Sequence, residues 1–200
     1  MIEIKLNRII SQDDDIGKEA IQIYETAFPI EEKRPIEKHI MLMRENPLFR
    51  FYAAMKDKEV IGMMVLWKLD GFTYIDYLAV SQDYRNKGYG KLIIKQLQQC
   101  CHSLIVLEVE MPDNDLARRR IRFYTQLGFN LLDFPYFMPK YNNPKEPFQM
   151  RLMSFPNIID DNMCEYVIRQ IHSNAYKLFV NHTKYCTFAP NLIKKFTVVR

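Results

Sequence analysis

No run of 18 apolar residues occurs in this chain, so a membrane-spanning helix is not expected. Low-complexity tracts and internal repeats are also missing. Charged residues make up 26% and apolar residues 48%, which argues against disorder and for a packed core. Cysteine is scarce: residues 100, 101, 164 and 186 show neither metal-site nor disulfide spacing. They read as reduced packing residues, which points to a cytoplasmic protein. The histidines at 39, 102, 172 and 182 stand in no partner pattern and read as surface or capping residues. No metal is expected. A net charge of +4 is mild. Its one dense cluster, Arg118-Arg119-Arg120 with Arg122, reads as a solvated helix face or as partners for Asp113 and Asp115, and not as a nucleic-acid surface. The first residues alternate and read as a strand, not a signal peptide.

A chain of 200 residues suits one compact domain with a small extension. Residues 2–8 read as a strand. A helix is expected over 13–28, capped by Ser11 or an early Asp, with Ile16, Ala20, Ile23 and Ala27 as its apolar stripe. A second helix, 36–44, would turn Ile36, Ile40 and Met43 inward. Residues 49–55 and 59–67 form a hairpin across Lys56-Asp57-Lys58, and Asp70-Gly71 leads into a third strand at 72–80. After a helix to about 102 come a strand at 103–110, a helix to Leu127 and a short strand over 129–132. Residues 133–146 read as a loop, followed by a last core strand at 146–153. A helix over 160–180 would bury Cys164, Val167, Ile168, Ile171 and Ala175, and the tail would end in a strand at 195–199.

The densest chemistry lies where the strand ending Leu78-Ala79-Val80 meets Arg85-Asn86-Lys87-Gly88-Tyr89-Gly90 and a helix begins at once with Lys91. Glycines let the backbone approach a ligand. A helix N-terminus offers unpaired N–H groups and a partial positive charge. Together they form an anion cradle, most often for phosphate. A P-loop requires Ser or Thr after Gly-Lys, and none follows Lys91. A dinucleotide loop requires a third Gly or Ala, and Ile93 stands there.

The remaining pattern, Arg-x-x-Gly-x-Gly after an apolar strand, resembles the acyl-CoA loop of the GNAT (Gcn5-related) N-acetyltransferases. A second segment, Arg119-Arg-Ile-Arg-Phe-Tyr-Thr-Gln-Leu-Gly-Phe129, is similar to the later helix-to-strand motif of that family. Gly128 suits the left-handed position after a helix end. The resemblance is specific over 72–132. It implies an α/β (α+β) fold with a mixed, mostly antiparallel central sheet and a splayed strand pair. A GNAT domain would occupy 1–153 and a helical C-terminal extension 154–200. An extension of that kind leaves a homodimer open.

What the resemblance implies chemically is acetyl transfer from acetyl-CoA to a primary amine by direct attack in a ternary complex. The alternative is a non-catalytic acyl-CoA-binding module of the same fold. Leu78, Ala79 and Val80 would meet the pantetheine arm with their backbone, and Arg85, Asn86, Lys87, Gly88, Tyr89, Gly90 and Lys91 would hold the pyrophosphate. Tyr124 matches the family tyrosine that protonates the leaving thiolate. Where the family often carries Asn, seven residues earlier, this chain has Ala117. The base is open between Asp76 and Glu108, with Glu110 a weaker third. Acceptor recognition in the family comes from the loop between the first two helices, here 28–35. Glu31 and Glu32 would draw a cationic amine and Arg34 an acidic group. The aromatic stretch 134–141 would roof that site or pack the extension. A small-molecule or peptide amine is the expected acceptor.

Overall fold

The computed structural model describes residues 3–30, 32–139, 141, 147–157 and 160–177. The chain divides into two compact units, Met1–Ile105 and Val106–Arg200.

The first unit opens with β1 (Lys5–Ile9), α1 (Asp15–Ala27) and α2 (Ile36–Glu45), followed by the meander β2 (Phe49–Lys56), β3 (Glu59–Leu69) and β4 (Phe72–Val80). A short 3-10 turn, Gln82–Tyr84, leads to α3 (Tyr89–Cys100). The strands lie in sequence order and pair antiparallel. β3 is buried from Val60 to Trp67, as a central strand covered on both faces must be. α1 packs on β2, β3 and β4. On the other face, Gly62 lets Ala79 O and Ile93 of α3 come close, where a Cβ would stand 2.5 Å from that carbonyl.

α1 starts where Asp14 accepts from Gly17 N at 2.7 Å, so the cap is Asp14 rather than Ser11. Its fully buried residues are Gly17, Ala20 and Tyr24, a stripe turned slightly from the expected one. α2 likewise buries His39 and Leu42, while Ile36, Ile40 and Met43 sit half-exposed beside them. Both shifts have one cause. An aromatic or imidazole ring, amphipathic on paper, takes the centre of the face, and aliphatic residues flank it.

The second unit holds β5 (Leu104–Glu110, its first residues in unit one), α4 (Asp115–Thr125), β6 (Asn130–Leu131), β7 (Tyr136–Met138), β8 (Phe148–Phe155) and α5 (Asp161–Asn174). β8 lies between β5 and β6, and β7 also pairs with it. β6 and β7 both run antiparallel to β8. β7 corrects the reading of 133–146 as loop. Tyr136 and Met138 are buried at period two, and the flanking Pro135 and Pro139 disguised three residues of strand. α4 ends as anticipated: Gly128 has φ 85°, and Phe129 N returns to Tyr124 O at 3.1 Å. α5 buries Cys164, Val167, Ile168 and Ile171, with Ala175 buried just beyond it. The strand expected at 195–199 and residues His182 and Cys186 lie outside the described residues.

Candidate functional site

Four of the five described α-helices carry an acidic residue in the first turn: Asp15, Glu37, Asp115 and Asp161. Three are capped by a side chain, from Asp14, Asn114 and Asp160. α3 has neither. It begins at Gly88, in the left-handed region with φ 82°, and Lys91 stands in its first turn. Acids at an N-terminus satisfy its N–H groups and its dipole, and a cation there is unfavourable. α3 is therefore built with the complement of a bound anion missing from its own sequence. Asn86, also left-handed at φ 61°, shapes the turn before it. Gly88, Tyr89, Gly90 and Lys91 form the start of this helix.

Arg85 and Lys87 flank this turn. Arg85 Nε donates to Val80 O at 3.1 Å. Lys87 Nζ donates to Asp83 O at 2.8 Å and lies 5.6 Å from the centre of the Tyr84 ring. A cavity of about 380 Å³ opens beside Arg85, walled by Glu19, Gln22 and Thr26 of α1 and by Val80 and Ser81.

Along the last residues of β4 exposure alternates. Leu78 and Val80 are half-exposed while Ala79 between them is buried. Asp76 is also half-exposed as a residue, yet its side chain is only 2% exposed, so its accessible part is backbone. Accessible strand amides and carbonyls need hydrogen-bond partners. An arm bearing amides would supply them.

The Asp76 carboxylate is committed elsewhere. Oδ2 accepts from Arg34 NH1 at 2.6 Å and from Trp67 Nε1 at 2.8 Å. Arg34 is fully buried, its guanidinium 5.7 Å from the ring centres of both Trp67 and Tyr77. Arg34 is thus not displayed to an acidic acceptor group, contrary to the sequence expectation, and the placement of Asp76 gives no support to a role as base. Sequence spacing held no hint of this pair, which joins residues 42 apart.

In the second unit, Glu108 is half-buried on β5 and accepts from the hydroxyls of Tyr136 and Tyr176, the latter at 2.9 Å to Oε2. Two phenols hold this carboxylate in one orientation. Glu110 pairs instead with Arg120. Arg118 pairs with Asp115 at 2.8 Å, as its sequence neighbourhood suggested.

Tyr124 is buried on α4, edge-on to Phe123 and Phe129. Burial pushes its phenol up to about 12; Arg120 opposes that rise and Glu110 adds to it. The hydroxyl stays neutral at any physiological pH. Ala117, two turns earlier, is buried at 1% and its N–H bonds to Asn114.

Two histidines differ from expectation, while His102 is exposed as expected. His39 and His172 are buried, the first among Tyr24, Phe49, Phe51 and Tyr77. His172 Nε2 lies 3.0 Å from Phe137 O. The described residues contain no group of three His, Cys, Asp or Glu able to hold a metal ion. No described helix is long and apolar enough to cross a membrane.

Comparison with known proteins identifies the fold and the family. The model of the acetyltransferase (GNAT) family matches residues 15–129, which span both motifs. YjbC of Bacillus subtilis (strain 168), assigned as an acetyltransferase, is 27% identical over 152 residues, covering 66% of this chain and 76% of that protein. A solved structure from Bacteroides thetaiotaomicron, assigned to the GNAT family, superposes with TM-score 0.80 at 29% identity, covering 86% of this chain and 98% of that one. Arabidopsis thaliana NAA60, solved with a bisubstrate analogue, shares the fold at TM-score 0.53 and 18% identity, over 76% of this chain and 97% of that chain. The strand-turn-helix with its uncapped α3, and the Tyr124 helix ending at Gly128, thus sit inside a family match covering more than half the sequence: the chain belongs to the GNAT acetyltransferase family and is an acetyltransferase.

Proposed function

We propose that the chain transfers an acetyl group from acetyl-CoA to a primary amine by direct attack in a ternary complex. The observation that carries the reading is α3, whose N-terminus has no side-chain cap, no acid in its first turn and three cations around it at Arg85, Lys87 and Lys91. That terminus suits a pyrophosphate. The N–H groups of residues 85–91 would hold it, and the backbone of the half-exposed Leu78 and Val80 would bind the pantetheine amides, with Ala79 fixing the strand between them.

Glu108 takes the role of base in this reading. Its carboxylate is already oriented by two phenols and accepts a proton from the amine directly or through water. Tyr124 serves the leaving sulfur. A thiol titrates near 8.5, so full transfer from a phenol held at about 12 is uphill by roughly 3.5 units. Tyr124 therefore acts as a hydrogen-bond donor that stabilises the developing thiolate as the carbon–sulfur bond breaks, while the proton lost by the amine balances the departing thiolate. The acceptor is a small-molecule or peptide amine, and Asp76 serves the fold around it.

Calorimetric titration with acetyl-CoA tests the donor half, and thiol release with an amine tests the transfer. Binding without release on any amine would leave a CoA-binding module; no binding at all would remove the reading.

A further inference from the structure

The loop between α1 and α2 is fastened to the sheet by more bonds than its length requires. Tyr24 of α1 donates its hydroxyl to Arg34 O at 2.7 Å. Arg34 N donates to the Tyr77 hydroxyl at 3.1 Å, and that hydroxyl donates to Glu32 O at 2.9 Å. Phe28 packs edge-on against Tyr77 at 4.9 Å. The Arg34 guanidinium passes into the core, between Trp67 and Tyr77, to reach Asp76. Its side chain is 0% exposed and that of Asp76 is 2%.

Burying an ion pair is an inefficient way to stabilise a fold, because desolvation offsets most of the attraction and apolar side chains of equal volume serve as well or better. What a buried pair does supply is geometry. A guanidinium has a fixed fork, and a carboxylate held by an indole N–H can meet it in few ways. The pair therefore sets where residues 32–34 lie relative to β4, in the strand region next to the half-exposed Leu78 and Val80.

We propose that Arg34, Asp76 and Trp67 form a latch that positions residues 32–35 of the acceptor loop, so that Asp76 is a positioning residue and not the base. The proposal rests on the acetyl-transfer reading above and on that loop's contact with the acceptor. It also removes Arg34 from the surface that selects the acceptor. Selection of an acidic acceptor through this guanidinium is thereby excluded, and the rest of the loop decides specificity.

The chain has a single tryptophan, Trp67, so its fluorescence reports on the latch without an acceptor. The experiment compares wild type, Asp76→Asn, and the double variant Arg34→Met with Asp76→Leu. The double variant leaves no unpaired buried charge and is the safeguard should the single one fail to fold. Spermidine, a lysine-containing peptide and a peptide with a free N-terminus are assayed by thiol release, and the fastest acceptor is used throughout. Both variants are expected to show altered Trp67 emission, an acceptor KM raised at least tenfold, kcat within about threefold and acetyl-CoA affinity within about twofold. A loss of kcat of a hundredfold or more at unchanged acceptor KM would overturn the proposal and make Asp76 the base. Unchanged acceptor KM and kcat in the double variant would overturn it too, as a latch without consequence. A wild type that binds acetyl-CoA but releases no thiol with any of the three overturns the transfer reading itself, and is distinguished because it appears before any substitution is made.

Discussion

Tyr176 donates its hydroxyl to Glu108 Oε2 at 2.9 Å, joining the chain beyond α5 to β5 across 68 residues. The segment after β8 is thereby part of the carboxylate's surroundings. The ring of Tyr176 is also 6.0 Å from His172 and 5.8 Å from Tyr141. Replacing Tyr176 with Phe keeps this packing and removes one charged hydrogen bond. A loss of about 1.5–3 kcal/mol is expected, measured as a shift in the urea unfolding midpoint. Because the carboxylate then keeps only Tyr136 as a described phenol donor, acetyl transfer should fall along with stability.

His39 makes stability depend on pH. Desolvation, and secondarily the Arg34 charge, hold its imidazole well below the usual 6.5. In the unfolded chain it binds a proton near 6.5; in the folded chain it does so only at lower pH. Below about 6.5 the unfolded state therefore holds more protons, and stability falls as pH falls, by at most about 1.4 kcal/mol per unit from this group. Above 6.5 the contribution is flat. His39→Phe should flatten that part of the curve, read from unfolding midpoints between pH 7.5 and 5. An unchanged slope would place the dependence elsewhere.

Gly88 carries the start of α3 at φ 82°. A Cβ there meets nothing within 4 Å, so Gly88→Val costs backbone strain rather than a clash, roughly 1–2 kcal/mol. The added side chain stands at the helix N-terminus, where the pyrophosphate is placed. Acetyl-CoA affinity should drop at least tenfold by calorimetry while the fold persists by circular dichroism. Equal affinity would remove the cradle from the donor site.

Tyr124→Phe tests the proton donor. Ring packing against Phe123 and Phe129 is kept, so stability should change by less than about 1 kcal/mol. General acid assistance contributes on the order of a hundredfold or more. Since Tyr124 is a weak acid at about 12, a fall in kcat near the low end of that range is expected, with acetyl-CoA affinity unchanged. A loss of affinity in place of kcat would make the tyrosine a binding residue.

Local chemistry was the part of this protein open to reading from sequence. The strand-turn-helix at 72–100 and the helix-Gly128 turn depend on neighbours within a few residues, so glycine, proline and periodicity announce them. The hairpin register at Lys56–Glu59 follows for the same reason. Features made by distant residues were hidden. Arg34 looked like a loop cation because nothing near it in sequence reveals Asp76 and Trp67. His39 looked like a surface histidine because the aromatic cage that buries it comes from α1, β2 and β4. Tyr136 hid between prolines, and its bond to Glu108 needed the pairing of β7 with β8. The three carboxylates differ in these long-range partners: Asp76 is tied to a guanidinium, Glu110 to Arg120, and Glu108 to two tyrosine hydroxyls.

The account turns on the uncapped N-terminus of α3 serving acetyl-CoA for acetyl transfer. The most direct measurement incubates the wild-type protein with acetyl-CoA and each acceptor amine, following free thiol and the acetylated amine by mass spectrometry together. The account predicts that one amine becomes acetylated in step with thiol release, and that Gly88→Val and Tyr124→Phe each suppress both. Thiol release with no acetylated amine, or none from any amine despite tight acetyl-CoA binding, would contradict it.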